Sequence, residues 1–290
     1  MHFRRRQFIW LFSLAFLCSV HIPDGFGQDQ AFHNRVKKLY SYEPQTLSKE
    51  AMQAKSDELD VFWNYVKEDL PQRLPLLRTE LKDSTNSAFF FYDASKLLLS
   101  LSKEPADRQL ALDSISKADL RGVQHTDYLR TIHWLAAEGY NTTPTALRIL
   151  DYPDFKAFIP QHALTLGQNY SLIYMLFPIE ERYFLQPLIQ RLGDEKNVVA
   201  QKSLLLALWY TMTVDGSEAV RRFAESTTTP LESREYAKTL LERHAPVFGY
   251  LSVSSSTHLK EERRQIMRRN ISDEALMEFD SLTGKLMVRQ

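Results

Sequence analysis

Two histidines and four aromatic side chains are the residues of this 290-residue chain whose spacing could do chemistry. His125 and His162 stand 37 positions apart (162 − 125). On the first turns of neighbouring helices they would share an edge, beside unpaired N–H groups and Asp127, and could hold a small anion or a metal. The plainer reading, polar residues closing helix starts, is favoured, and no metal ligand set is assigned. Trp134 and Tyr170 are 36 apart, as are Tyr174 and Tyr210. Rings repeating in register, with Arg130 and Lys202 beside them, make a surface suited to a peptide or a glycan. Their competing role is core, and the apolar circumference of Leu204–Tyr210 favours it.

Catalytic signatures are missing. The chain has no His-Glu-x-x-His run, Walker loop, Gly-x-Ser-x-Gly or dinucleotide-binding glycine fingerprint. No catalytic residue and no cofactor are assigned. A glycosidase-type mechanism needs only two well-placed carboxylates, which keeps an enzyme reading open. The 36 basic residues balance 36 acidic ones, so no overall basic field draws the protein to nucleic acid. The run Lys260–Arg269 is locally basic, but Glu261 and Glu262 can pair one turn on, and it reads as a solvated helix face.

Positioning these residues falls to helices. From Thr46 to about Ser226 apolar residues recur at three- and four-residue spacings between proline-marked breaks. Leu47–Leu70, Phe89–Leu101, Arg108–Ser116, Thr145–Leu150, Arg182–Arg191 and Glu218–Glu225 read as helices. The only β-like stretch, Val247–Val253, reads equally well as a loop. Tyr128, Leu164, Ala200 and Tyr236 follow one another at steps of 36. Ile132, Gln168, Leu204 and Leu240 lie four residues on, and Ala136, Leu172, Leu208 and His244 eight residues on, which is one helical stripe carried by successive helices. A two-helix unit cannot bury such a stripe alone, so the units must stack.

The stretch Pro105–Ala245 resembles HEAT-repeat proteins. Its best unit is Asp194–Leu208, an acidic turn followed by small and large apolar residues along a second helix. The signature of tetratricopeptide repeats is not present at matching positions, and an irregular helical bundle is the alternative architecture. The resemblance implies an all-α solenoid of antiparallel helix pairs, period about 36, and a role in protein–protein binding or scaffolding.

The N-terminus, with Arg4-Arg5-Arg6 before an apolar run from Phe8 to Val20, reads as a signal peptide of residues 1–27 cut after Gly27. Thirteen apolar residues are too few to span a bilayer, so no stable transmembrane span remains after cleavage. Arg5-Arg6-Gln7-Phe8-Ile9 resembles a twin-arginine core, but the ordinary Sec route is favoured. Cleavage leaves 33 basic and 35 acidic residues (36 − 3 and 36 − 1) and removes Cys18, the single cysteine. The remainder divides into a poorly ordered lead-in (28–45), an N-terminal helical cap (46–104), the repeats (105–245) and a C-terminal linker with helices (246–290). Together these features point to an exported, periplasmic or secreted, non-enzymatic repeat protein that binds a protein or an envelope polymer. The alternative is an exported all-α enzyme acting on cell-wall glycan or peptide through paired carboxylates.

Overall fold

The computed structural model describes residues 24–41, 47–120, 125–152, 167–243, 253–269 and 271–288. Among these residues there are fourteen α-helices, one 3-10 turn and no strand. Side-chain caps set many of the helix starts. After α1 (Asp24–Tyr40), Ser48 opens α2 (Lys49–Glu68) by accepting from the Ala51 N–H at 3.2 Å. Asp69 opens α3 (Leu70–Lys82), with Pro71 in its first turn, and Ser87 opens α4 (Ala88–Leu101). Then come α5 (Pro105–Lys117), α6 (His125–Ala137) and the short α7 (Thr143–Leu147) with its 3-10 extension Arg148–Asp151. The next pair is α8 (Gly167–Leu176) and α9 (Glu181–Asp194). Asn197 caps α10 (Val198–Tyr210) and Thr213 caps α11 (Val214–Glu225), followed by α12 (Leu231–Arg243). The chain ends with α13 (Val253–Arg269) and α14 (Asp273–Val288), whose start is capped by Ser272 through the Ala275 N–H at 3.2 Å. The candidate strand Val247–Val253 lies outside the described residues apart from Val253, which opens α13.

Each helix from α3 to α12 touches the neighbour two places along as well as its sequence neighbour. One row runs α4, α6, α8, α10, α12; the other runs α3, α5, α7, α9, α11. The stripe residues Tyr128, Ile132, Ala136, Leu172, Ala200, Leu204 and Leu208 are essentially fully buried in the first row. Leu164 and the side chains of Gln168 and His244 lie outside the described residues, and Tyr236 is only half-buried. Helix ends in that row fall at Ala137, Leu176, Tyr210 and Arg243, giving steps of 39, 34 and 33 residues (176 − 137, 210 − 176, 243 − 210). The units are thus unequal in length. The longest step is the one that carries the 3-10 turn Arg148–Asp151.

Polar links tie successive units. Arg78 on α3 grips Asp107 on α5 with two hydrogen bonds, Nε to Oδ1 at 2.8 Å and Nη2 to Oδ2 at 2.7 Å. Asp107 is almost fully buried, and that guanidinium holds its carboxyl below the usual range. Arg108, also buried, turns the other way to Glu138 at 2.7 Å.

Two of the expected boundaries need correction. The stretch expected to be a poorly ordered lead-in is helical from 28 to 40, and Phe32, Val36, Leu39 and Tyr40 are buried. Phe32 packs on Phe62 of α2 with ring centroids 5.5 Å apart, and Tyr40 donates to Asp93 Oδ2 at 2.7 Å. Apolar residues at i, i+4, i+7 and i+8 need a partner surface, and α2 and α4 supply it. The cap and the repeats are also continuous, because α3 packs on α5 and α4 on α6 across residue 104.

Two glycines with opposite surroundings make a paired test. Gly216, in the first turn of α11, lies so close to the end of α10 that a Cβ there would sit 2.4 Å from Thr211 Oγ1 and 2.7 Å from the Leu208 carbonyl oxygen. Gly193, near the end of α9, has open space around it. Gly193→Ala is expected to stabilise the protein by up to about 1 kcal/mol, the ordinary helix gain over glycine. Gly216→Ala should cost roughly 1–3 kcal/mol instead. Urea unfolding of both variants checks this; equal effects would mean that α10 and α11 do not approach so closely.

Candidate functional site

The aromatic side chains singled out by their spacing fall on α6, α8 and α10, three consecutive helices of one row. Arg130 is exposed on α6, and one turn on Trp134 is half-buried, with the Arg108 guanidinium 6.0 Å from its ring centre. Tyr170 on α8 is half-buried and meets Tyr210 of α10 edge-on, centroids 6.2 Å apart. Tyr174 is only 3% exposed, and its hydroxyl donates to the Ser272 carbonyl at 2.7 Å. That ring has no face to offer a ligand. Lys202 is not gathered with the rings. It sits eight residues before Tyr210 on the same helix, roughly 12 Å along the axis. Its ammonium pairs with Glu232 of α12 at 2.5 Å and stands 5.7 Å over the Tyr236 ring.

What lies over Tyr174 and Tyr210 is the chain's own C-terminal hairpin. Helix α13 packs against α6 as well as against α14. Its Arg263 donates from Nη1 to the Tyr210 carbonyl at 2.7 Å, and Arg268 donates from Nε to the Pro178 carbonyl at 3.0 Å. From α14, Phe279 is completely buried, 5.5 Å from the Tyr210 ring and 5.7 Å from Phe177, which stacks on Phe184 at 5.4 Å. The basic run expected to be a solvated face therefore turns one side inward: Arg263, Ile266 and Met267 are all buried. The signal was readable at those spacings of three and four, and again in Ala275, Leu276, Phe279 and Leu282. Three arginines in the run obscured it.

His133 sits at the same junction, 6% exposed, with Nδ1 2.7 Å from the Tyr174 carbonyl and its ring edge-on to Tyr174. Burial pushes its proton affinity below the ordinary histidine value, and the hydrogen bond to that carbonyl only partly opposes this. The side chain of His125 and the whole of His162 lie outside the described residues.

Elsewhere, His33, Glu80 and Asp83 bring three metal-ligand atoms within 4.8 Å of one another where α1 meets α3. The ammonium of Lys37 already stands 3.0 Å from Asp83, His33 Nδ1 is 3.0 Å from Glu80, and Asn86 donates to Glu80. The carboxylates are thus met by a cation and by hydrogen bonds, and the cluster acts as a clasp. Burial raises the Asp83 affinity, but hydrogen bonds from Thr85 and Lys37 outweigh it and hold the carboxyl at about 2. A groove of about 590 Å³ between the α9–α10 and α11–α12 turns, lined by Leu192, Glu195, Arg222 and Phe223 among others, is large enough for a small ligand. Glu195, its most enclosed acid, accepts from the Lys196 and Asn197 N–H groups and from Arg191. Burial raises its proton affinity, but those bonds outweigh it and lower the carboxyl, the wrong direction for a general acid.

Among the described residues no helix is long and apolar enough to cross a membrane. Compared with family models, with curated proteins and with solved structures, the chain matches none.

Two outcomes follow from the hairpin junction. Phe279→Ala removes a buried ring worth about 3–5 kcal/mol and should speed protease cleavage within residues 253–288 while the row helices stay intact. Limited proteolysis with mass spectrometry reads it, and unchanged cleavage would mean that Phe279 is not the anchor. The second outcome concerns acid. His133 is favoured neutral in the fold, so below the ordinary histidine value of about 6.5 the unfolded chain gains a proton that the folded chain resists. Stability contributed by the neutral ring is present above that pH and falls as the pH drops through it. In urea unfolding at pH 7, 6 and 5, His133→Asn should flatten the decline by at most about 1.4 kcal/mol per pH unit.

Proposed function

We propose that this chain is an exported α-solenoid of HEAT type that serves as a protein-interaction or scaffold module of the cell envelope. The observation that supports the reading is the two-row order, in which each helix of a row packs on the next of its row and on its sequence neighbours. Such stacking leaves long open faces, the surfaces by which repeat proteins hold partners. Unit lengths of 39, 34 and 33 residues scatter around the 36-residue spacing read from the sequence (106 residues over three steps). Export is argued from the basic start and the apolar run. A cut after Gly27 would fall inside α1 but leave Phe32, Val36, Leu39 and Tyr40, its packed residues, in place.

Contact with a partner is assigned to what the hairpin leaves open: Arg130 with the half-exposed edges of Trp134 and Tyr170. The enzyme reading draws no comparable support. Asp83, Asp107 and Glu195 all have lowered affinities for a proton and are held by cations or N–H groups. The test is capture from cell-envelope extract of the producing organism by the chain lacking residues 1–27, beside Trp134→Ala/Tyr170→Ala with helicity verified by circular dichroism. A partner retained by the first and lost at least tenfold by the second is expected. Equal capture by both would move the contact to another face, and capture of nothing by either would sink the interaction reading.

A further inference from the structure

Where the hairpin meets the row, three cations from one helix converge on a space with too few acids. Lys260, Arg263 and Arg264 of α13 line a small cavity whose remaining wall is mainly Phe177, Phe184 and Tyr210, with about 10 Å³ of free space. Glu181 of α9 is the acid in that wall, 3.9 Å from the Lys260 ammonium and 4.0 Å from the Arg264 guanidinium. Arg264 also pairs with Glu261, one turn back on its own helix. Two carboxylates thus serve Lys260 and Arg264, and the third cation is left over.

That third cation is the buried one. Arg263 is 4% exposed, and its one hydrogen bond is from Nη1 to the Tyr210 carbonyl. Its Nε is buried with no acceptor, and so is the Nε of Arg264. The Phe279 ring stands 5.6 Å from the Arg263 guanidinium carbon, which offers a cation–π contact but no hydrogen-bond acceptor in the ring plane. A guanidinium out of water with a single carbonyl for company is costly, and the cost falls away when an anion meets its free N–H groups. Burial lowers the guanidinium to about 10, with Glu181 pulling only weakly the other way, an environment short of negative charge.

We propose that this cavity binds a single small monovalent anion of chloride size, held by Arg263 and Arg264 between the C-terminal hairpin and helix α10. The space admits one atom about the size of a water molecule, which excludes phosphate, sulfate and the organic acids unless α13 moves away. A neutral water in the same place would satisfy a donor without supplying charge, so the two occupants differ in what the protein's stability responds to.

The experiment uses the full chain. Thermal unfolding is followed in sodium chloride and in sodium gluconate at equal ionic strength, for wild type and for Arg263→Met, an apolar side chain of similar length. Gluconate is too large to enter. With chloride at ten times its dissociation constant, the wild-type midpoint should rise by about 3 °C relative to its own gluconate value and then saturate, and the variant should lose that chloride-specific increment. Equal chloride responses in the two proteins, or none in the wild type, would overturn the proposal. Should Arg263→Met fail to fold, anomalous diffraction from wild-type crystals grown in bromide decides it. A peak within hydrogen-bonding reach of the Arg263 Nε supports the site, and its absence rejects it.

Discussion

Helix α10 cannot be covered by any one neighbour, and the arrangement of the other helices answers that constraint. Nine of its thirteen residues are buried, among them Leu204, Leu205, Leu206 and Leu208, which point to different sides of the helix. Helices α8 and α12 flank it in its row, α9 and α11 close it from the other row, and Phe279 of the hairpin reaches the ring at its end. Its one buried amide is fully used. Gln201 donates to the Glu195 carbonyl at 2.7 Å and accepts from Ser233 at 2.6 Å, so the same residue that would be costly unpaired links the α9–α10 turn to α12. A helix apolar all round needs stacking partners on both sides, and repetition of that need along the chain gives two rows.

Much of this was legible because it depends on local chemistry. The helix at Phe89–Leu101 begins one residue earlier than its periodicity suggested, at Ala88, under the Ser87 cap. The start near Asp273 is where Ser272 caps α14. Proline at 71 and 105 sits in first turns, where its missing N–H costs nothing. Spacing between units was less legible. A fixed step of 36 captures the average because helices of similar length alternate with short turns, but each connection is free to differ, and the α6-to-α8 step does. Sequence periodicity reports which face is buried; it does not report how many residues a turn spends outside the helix.

The aromatic face was half legible for a different reason. Register placed Tyr170 and Tyr210 on adjacent helices, where they touch. Periodicity could not say what covers them, because the cover lies about seventy residues further on (279 − 210) and is drawn from a segment dominated by charge. Arg263, Arg264, Arg268 and Arg269 share one helix but only Arg263 is buried, a difference set by which side of α13 faces the row. Long side chains with charged ends defeat composition as a guide to burial, since their stems pack well on aromatic walls. Lys202 illustrates the converse, a cation placed beside the rings by sequence distance and sent to Glu232 by helix geometry.

The hairpin is joined to α12 by only nine residues, 244–252. A segment on so short a tether confronts its docking surface at an effective concentration on the order of millimolar, whatever the concentration of the protein itself. A molecule directed at Tyr174 or Tyr210 therefore meets a competitor that cannot be diluted away, and its apparent affinity is discounted by the fraction of time the tethered segment stands off. Rings at the open edge of the face, such as Trp134, carry no such discount. Two aromatic positions that look alike in the sequence thus differ in accessibility through connectivity rather than chemistry: for the inner rings, the resident ligand is the chain's own terminus.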